Sequence, residues 1–215
     1  YPEPKHQKII EPFAGSACYS LSRISLLFPR SVQLYDKNPK VCMLWDYLIH
    51  VTEKEILSLP ILKPKQQIPT TLPIEAQHLI GFWASKGTVN PVKTMTAKTK
   101  CADKGDRGYW SAKIKFRIAK QLQYIRHWTI ENSCYTNLKN EEATWFIDPP
   151  YAVGGHRYTY SQIDYNVLST FCRNRIGQTI VCENGKADWL PFVSFKKTKG
   201  LKKTTEEVMW TNENR

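Results

Sequence analysis

Four consecutive residues, Asp148-Pro149-Pro150-Tyr151, carry the most chemistry in the chain. They follow an apolar run, Ala143 to Ile147, of the kind that forms a buried strand, so they stand at a strand's exit. An aromatic amine is a poor nucleophile because its lone pair is delocalised into the ring. Two acceptors, one on each N–H, draw the nitrogen toward tetrahedral geometry and free that pair. The Asp148 carboxylate can accept one hydrogen bond and the Pro149 carbonyl the other, held in place by proline stiffness. Tyr151 offers a flat face for an extruded base, and such stacking contributes ~1–3 kcal/mol. A plain turn around a proline pair explains the prolines but not the acid and the aromatic beside them.

A second constellation lies near the start, Glu11-Pro12-Phe13-Ala14-Gly15-Ser16-Ala17. A small-residue turn lets backbone approach a ligand closely, and a helix N-terminus follows it. One glycine is weak evidence by itself, and the other two of the dinucleotide fingerprint are absent. Asp36 falls 21 residues after Gly15, at the end of a second strand-like run, Ser31 to Tyr35. An acid at about that spacing binds the ribose diol of nucleoside cofactors. The alternative is a helix N-cap, because Pro39 suits the first turn of a following helix.

The elements that position these residues read as two α/β blocks around an irregular middle. Lys8 to Glu11 is a β-prone run, and Ser20 to Phe28 is helix-like with Pro29 past its end. Residues 57–108 hold five prolines from Pro60 to Pro91, Thr/Lys/Gly-rich stretches, and one short helix near Ile74 to Trp83. From Trp110 to Trp128 the spacing predicts a helix. Ile114, Ile118, Leu122 and Ile125 fall within an arc of about 80°, and Lys113, Arg117 and Lys120 form a separate stripe. Gln178 to Cys182 is another apolar strand, ending at Glu183-Asn184. Phe192–Lys196 and Glu207–Trp210 are expected to pair antiparallel and close the sheet.

Net charge is +12, and its distribution is uneven. Residues 86–126 hold eleven Lys/Arg against two acids, Asp103 and Asp106, a local excess of nine. Such a field suits a polyanion, although a basic face kept for solubility has the same composition. The six cysteines form no Cys-x-x-Cys pair and no zinc spacing, so reduced thiols and no metal are expected. No apolar run nears the ~20 residues that span a bilayer, and Tyr1 to Lys8 lacks a signal-peptide pattern. The expectation is a cytoplasmic protein without a membrane partner.

Taken together, these motifs resemble the Dam-like DNA adenine methyltransferases, whose cofactor motif comes first, target-recognition insert next and catalytic motif last. Phe13-Ala14-Gly15 resembles the family's Phe-x-Gly cofactor loop, and Tyr35-Asp36-Lys37-Asn38-Pro39 its acidic second motif. Asp148-Pro149-Pro150-Tyr151 matches its catalytic tetrapeptide. Tyr158-Thr159-Tyr160, Asp164 and Leu168 look like the segment that follows, Glu183-Asn184 like the next strand-end motif, and residues 207–212 like the final strand. Ala17 stands where the family has its second glycine. Residues 1–7 carry no counterpart of its Lys/Gly-rich first motif, and its third motif has no evident match.

The resemblance implies a Rossmann-like methyltransferase sheet with an antiparallel last strand. A catalytic domain of residues 1–56 and 141–215 would surround a recognition insert of 57–140. It implies S-adenosylmethionine as cofactor, bound by Glu11 to Ala17, Asp36, Asn38, Asp148 and Asp164. Asp148 to Tyr151 would be catalytic. Double-stranded DNA would be held by Lys98, Lys100, Arg107, Lys113, Arg117, Lys120 and Tyr158, with the target base flipped out. A restriction endonuclease acting on the same site is an implied partner, and the chain is expected as a monomer or weak dimer. Carbon-5 cytosine chemistry is disfavoured, since no Pro-Cys dipeptide occurs. RNA adenine methylation, cytosine amino methylation and an inactive nucleic-acid-binding module remain the alternatives.

Overall fold

Short apolar and β-branched runs such as those of Lys8–Glu11 and Ala143–Ile147 become strands. The computed structural model describes residues 1–24, 29–86, 88–98, 108–199 and 204–213. The strands are β1 (Lys8–Glu11), β2 (Ser31–Asp36), β3 (Thr129–Asn132), β4 (Ala143–Ile147), β5 (Gly177–Asn184), β6 (Val193–Lys199) and β7 (Thr204–Thr211). They form one sheet in the order β3-β2-β1-β4-β5-β7-β6. The pairs β1/β2, β1/β4, β2/β3 and β4/β5 are parallel, and β7 runs antiparallel to both β5 and β6. The expected Rossmann-like sheet with its antiparallel closing pair is therefore the architecture of the protein.

The helices are α1 (Cys18–Leu21), α2 (Pro39–His50), α3 (Glu53–Ser58), α4 (Ile74–Ala84), α5 (Ala112–Ile125) and α6 (Tyr165–Arg173). Two compact units divide within α2. One comprises Tyr1–Cys42 and Trp128–Arg215, the other Met43–His127. These limits differ from the expected 57–140 insert. On one side β3 pairs with β2 and draws residues 128–140 into the sheet unit. On the other, most of α2 falls in the second unit.

In the sheet unit, strand alternation sends Ile10, Ala143, Trp145, Ile147, Val181 and Trp210 to one face. There they pack with Leu168, Phe171 and Cys172 of α6. On the other face lie residues 1–7, with the Lys5 N–H donating to Gln178 Oε1 (3.0 Å) and the His6 N–H to Thr144 Oγ1 (3.2 Å). Gly177 opens β5 at φ +94°. A Cβ there would lie 2.3 Å from the Ala143 carbonyl oxygen, so only glycine fits.

The helix expected over Ser20–Phe28 is shorter and starts earlier, at Cys18. Ser22 ends it by donating its hydroxyl to the Tyr19 carbonyl (2.7 Å), which competes with continued helical bonding. Residues 25–28 lie outside the described residues.

The second unit contains two helices whose last carbonyls are closed by cations. Lys115 donates its ammonium to the carbonyls of Leu57 (2.7 Å) and Leu59 at the end of α3. Arg126 donates to the carbonyls of Ile49 and Val51 (2.5 Å) at the end of α2. Both satisfy orphaned terminal carbonyls and sit where the helix dipole favours positive charge. Ile114, Ile118, Leu122 and Ile125 are all buried, as the sequence spacing predicts.

Candidate active site

Three strand ends meet at the carboxyl edge of the sheet, with β1 between β2 and β4. Neighbouring strands lie about 4.8 Å apart, so the loop leaving β1 stands between the ends that carry Asp36 and Asp148. Ile10 pairs with Trp145 in register, and continuing that register brings Phe13 level with Asp148.

The loop turns sharply, with Gly15 at φ 45° and Ala17 at φ 44°. Both are left-handed, a conformation that costs an L-residue roughly 1–2 kcal/mol and glycine nothing. Asp36 Oδ2 accepts the Gly15 N–H at 3.0 Å, and Oδ1 accepts the Asn38 N–H at 2.8 Å. The Ala14 N–H donates to the Tyr35 carbonyl at 2.8 Å. Asp36 does not cap α2. Asn38 does, through its Oδ1 and the Lys40 N–H (3.1 Å). Burial raises the Asp36 pKa, opposed by its bonds from Gly15 and Asn38.

Glu11 points into the sheet unit, 2% exposed, and its Oε1 accepts the Ser20 N–H at 2.9 Å. Burial pushes its pKa up to about 7, with Asp148 adding to the shift. Phe13 is half-buried, its ring 5.4 Å from that of Tyr135. Pro12 and Ala14 are buried, and Ser16 is exposed with Oγ 3.1 Å from Cys18 Sγ.

Asp148 is exposed, and Pro149 is buried. Enough protein still surrounds the carboxylate that desolvation raises its pKa to about 7. The charges of Glu207 and Glu183 add to this, and a hydrogen bond from Tyr151 opposes it. The segment after Tyr151 folds back tightly. The Gly155 N–H donates to the Tyr151 carbonyl (3.0 Å), and a Cβ on Gly155 would lie 3.0 Å from the Pro150 carbonyl carbon. Tyr158 is 51% exposed and feels the Asp148 charge. The Tyr160 ring lies 5.9 Å from Lys37 Nζ, beside Asp36. Asp164 caps α6, its Oδ1 accepting the N–H groups of Asn166 (2.9 Å) and Val167 (3.2 Å).

Some neighbours escaped the sequence reading. Asn132, at the end of β3, donates its amide to the Asp36 carbonyl (2.9 Å), and the Ser133 N–H donates there too (3.2 Å). A four-residue, mostly exposed edge strand leaves little periodic signal, so β3 was invisible in the pattern. Tyr165 donates its hydroxyl to the Pro150 carbonyl (2.5 Å), and Glu183 Oε2 accepts the Ala152 N–H (2.8 Å). These bonds span 15 and 31 residues, and only the fold creates them.

In the second unit, Lys113, Arg117 and Lys120 are exposed on α5. Arg117 lies over the Trp83 ring at 5.3 Å, and Lys120 pairs with Glu53 at 3.5 Å. Lys98 is exposed. Lys100 and Arg107 lie outside the described residues. Lys115 and Arg126, counted in the basic excess, are committed to helix carbonyls. Among the described residues no group of three His, Cys, Asp or Glu is placed to hold a metal, and no helix is long and apolar enough to cross a membrane. An open groove along α6, lined by Tyr135, Thr136, Asn166, Val167, Thr170 and Arg175, contains none of the residues singled out by sequence.

A seven-stranded sheet in this order, with the seventh strand antiparallel, is the Rossmann-like methyltransferase fold. No family model and no curated protein matches the chain. Among solved structures, a conserved hypothetical protein of Streptococcus pyogenes is 11% identical, covers 96% of this chain and 86% of its own, and has a TM-score of 0.38. A candidate methylase of Haemophilus influenzae is 12% identical, covers 94% and 84%, and has a TM-score of 0.36.

Proposed function

We propose that the protein transfers a methyl group from S-adenosylmethionine to the exocyclic amine of adenine in double-stranded DNA. The observation that carries this reading is the exposed Asp148 carboxylate at the end of β4, one strand from the left-handed Gly15 loop that Asp36 holds.

The loop suits a nucleoside cofactor. Its turn is open backbone, and each Asp36 oxygen keeps a lone pair after accepting its backbone N–H, enough for a ribose diol. The acidic surroundings of Asp148, with Glu11, Glu183 and Glu207 close by, suit a cationic sulfonium.

When bound, S-adenosylmethionine supplies a methyl carbon whose bond to sulfur breaks, its electron pair passing to sulfur, as the bond to nitrogen forms. Asp148 and the Pro149 carbonyl accept the two amine N–H groups and return the lone pair to nitrogen. The proton that the amine loses passes to Asp148 or to water. Tyr151 stacks the extruded base, and the exposed Tyr158 gives it a second aromatic neighbour. Positioning and placed acceptors account for the acceleration, without a covalent enzyme intermediate. The sheet unit is the catalytic part. The basic unit, through Lys98, Lys113, Arg117 and Lys120, grips phosphates.

The full chain is incubated with methyl-labelled cofactor and, separately, duplex DNA and RNA, and the labelled nucleoside is identified after digestion. N6-methyldeoxyadenosine is the expected product. Label in RNA or in cytosine moves the assignment to another amine, and no label in any nucleic acid overturns it.

A further inference from the structure

We propose that Tyr165, Glu183 and Trp189 are positioning residues that hold Tyr151 in register with Asp148. The proposal rests on the roles just given to Asp148 and Tyr151. The peptide groups on both sides of Tyr151 are held by side chains distant in sequence. The Tyr165 hydroxyl, at the first residue of α6, donates to the Pro150 carbonyl at 2.5 Å. Glu183 Oε2, near the end of β5, accepts the Ala152 N–H at 2.8 Å. The Tyr151 carbonyl is itself taken by the Gly155 N–H at 3.0 Å.

The two anchors form one network. Trp189 donates its indole N–H to the same Glu183 oxygen at 3.2 Å, and its ring lies 5.5 Å from that of Tyr165. Glu183 Oε1 accepts the Asn184 N–H at 2.8 Å, and the Asn184 amide donates to the Val153 carbonyl. Fully buried, the Glu183 carboxylate therefore takes three N–H donors: the backbone N–H groups of Asn184 and of Ala152, the residue after Tyr151, and the Trp189 indole. An apolar side chain at this point in β5 would fill the space without the desolvation cost of a charge. A fully bonded carboxylate instead fixes the direction of one peptide group, which is what a reacting turn needs. An error of about 1 Å in such a turn can lower a rate roughly a hundredfold.

Tyr165→Phe removes one hydroxyl and keeps the ring against Trp189, and Trp189→Phe removes the indole N–H and keeps an aromatic. Each is expected to lower kcat about tenfold or more, with cofactor KM and Tm near wild type. The double variant is expected to lose little more than the worse single variant, because both act through Tyr151. A Tyr165→Phe kcat within twofold of wild type, or a loss confined to KM or Tm, overturns the proposal.

A readout free of activity separates this from the assignment of the reaction. In protein labelled with 3-fluorotyrosine, the fluorine resonance of Tyr151 is assigned by its loss in Tyr151→Phe. It is expected to be single and sharp in wild type and to broaden or split in Trp189→Phe and in Glu183→Gln. An unchanged resonance in both overturns the proposal, whether or not the wild type methylates DNA.

Discussion

The Gly15 N–H donates to Asp36 Oδ2 at 3.0 Å, so the acid at the end of β2 holds the turn at the end of β1. The two residues whose spacing suggested a nucleoside site are thus bonded to each other. Asp36 shapes the loop and, under the proposed function, presents its remaining lone pairs to the ribose.

Asp36→Ala is expected to weaken cofactor binding at least about tenfold, since it removes a charged hydrogen bond to the loop, worth ~1.5–3 kcal/mol, together with any bond to the ribose. Isothermal titration checks this. A dissociation constant equal to wild type removes Asp36 from the cofactor site.

Under the proposed function the Asp148 acceptor acts on the amine and not on the cofactor, so Asp148→Ala is expected to abolish transfer while cofactor affinity changes only a few-fold. Single-turnover assays with saturating DNA read the first effect, and titration reads the second. Retained turnover rules out the carboxylate's role.

The pH dependence follows from the raised carboxyls. Under the proposed function only the ionised Asp148 accepts the amine, so kcat/KM is expected to rise with pH through an ionisation near 7. For stability the sign is opposite. Glu11 has a pKa of about 7 in the folded chain, above its ordinary carboxylate value, so the folded state holds its proton more tightly. The stabilisation is full below the ordinary carboxylate range and is lost as pH rises through about 7. Between pH 4 and pH 8 the melting temperature of wild type is expected to fall relative to that of Glu11→Gln as pH rises. Parallel curves for the two proteins count against this.

Replacing Lys113, Arg117 and Lys120 by Ala is expected to flatten the salt dependence of DNA binding, by about 0.9 in log–log slope for each phosphate no longer neutralised. Lys120 contributes least, because Glu53 already pairs with it. An unaltered slope places α5 away from the phosphates.

Lys115→Met is expected to destabilise the chain by about 2 kcal/mol. Two carbonyls at the end of α3 lose their donor, while the methionine keeps much of the buried volume. Chemical denaturation measures it, and a change under about 0.5 kcal/mol would refute the capping role.

Local patterns were legible wherever one element carried its own signal. The apolar run before Asp148, the alternating closing strands and the isoleucine stripe of α5 each depend on periodicity within a few residues, and each appears as expected. The tetrapeptide and the glycine turn were legible because their backbone demands are local. Thr52 and Glu55 also carry a capping-box signal for α3, but its six residues are too few to show a periodic face.

What the tertiary structure alone decided is how distant side chains are spent. Asp36 holds Gly15, Glu11 turns inward to Ser20, and Asp164 caps its own helix. Lys115 and Arg126, alike in charge to their neighbours, close helix ends instead of joining the basic stripe of α5. Tyr165 and Glu183 reach the turn around Tyr151 from α6 and β5. Periodicity dictates which face a residue occupies. It does not dictate which partner waits there, because the partner is set by strand order, and strand order is settled only when the chain packs.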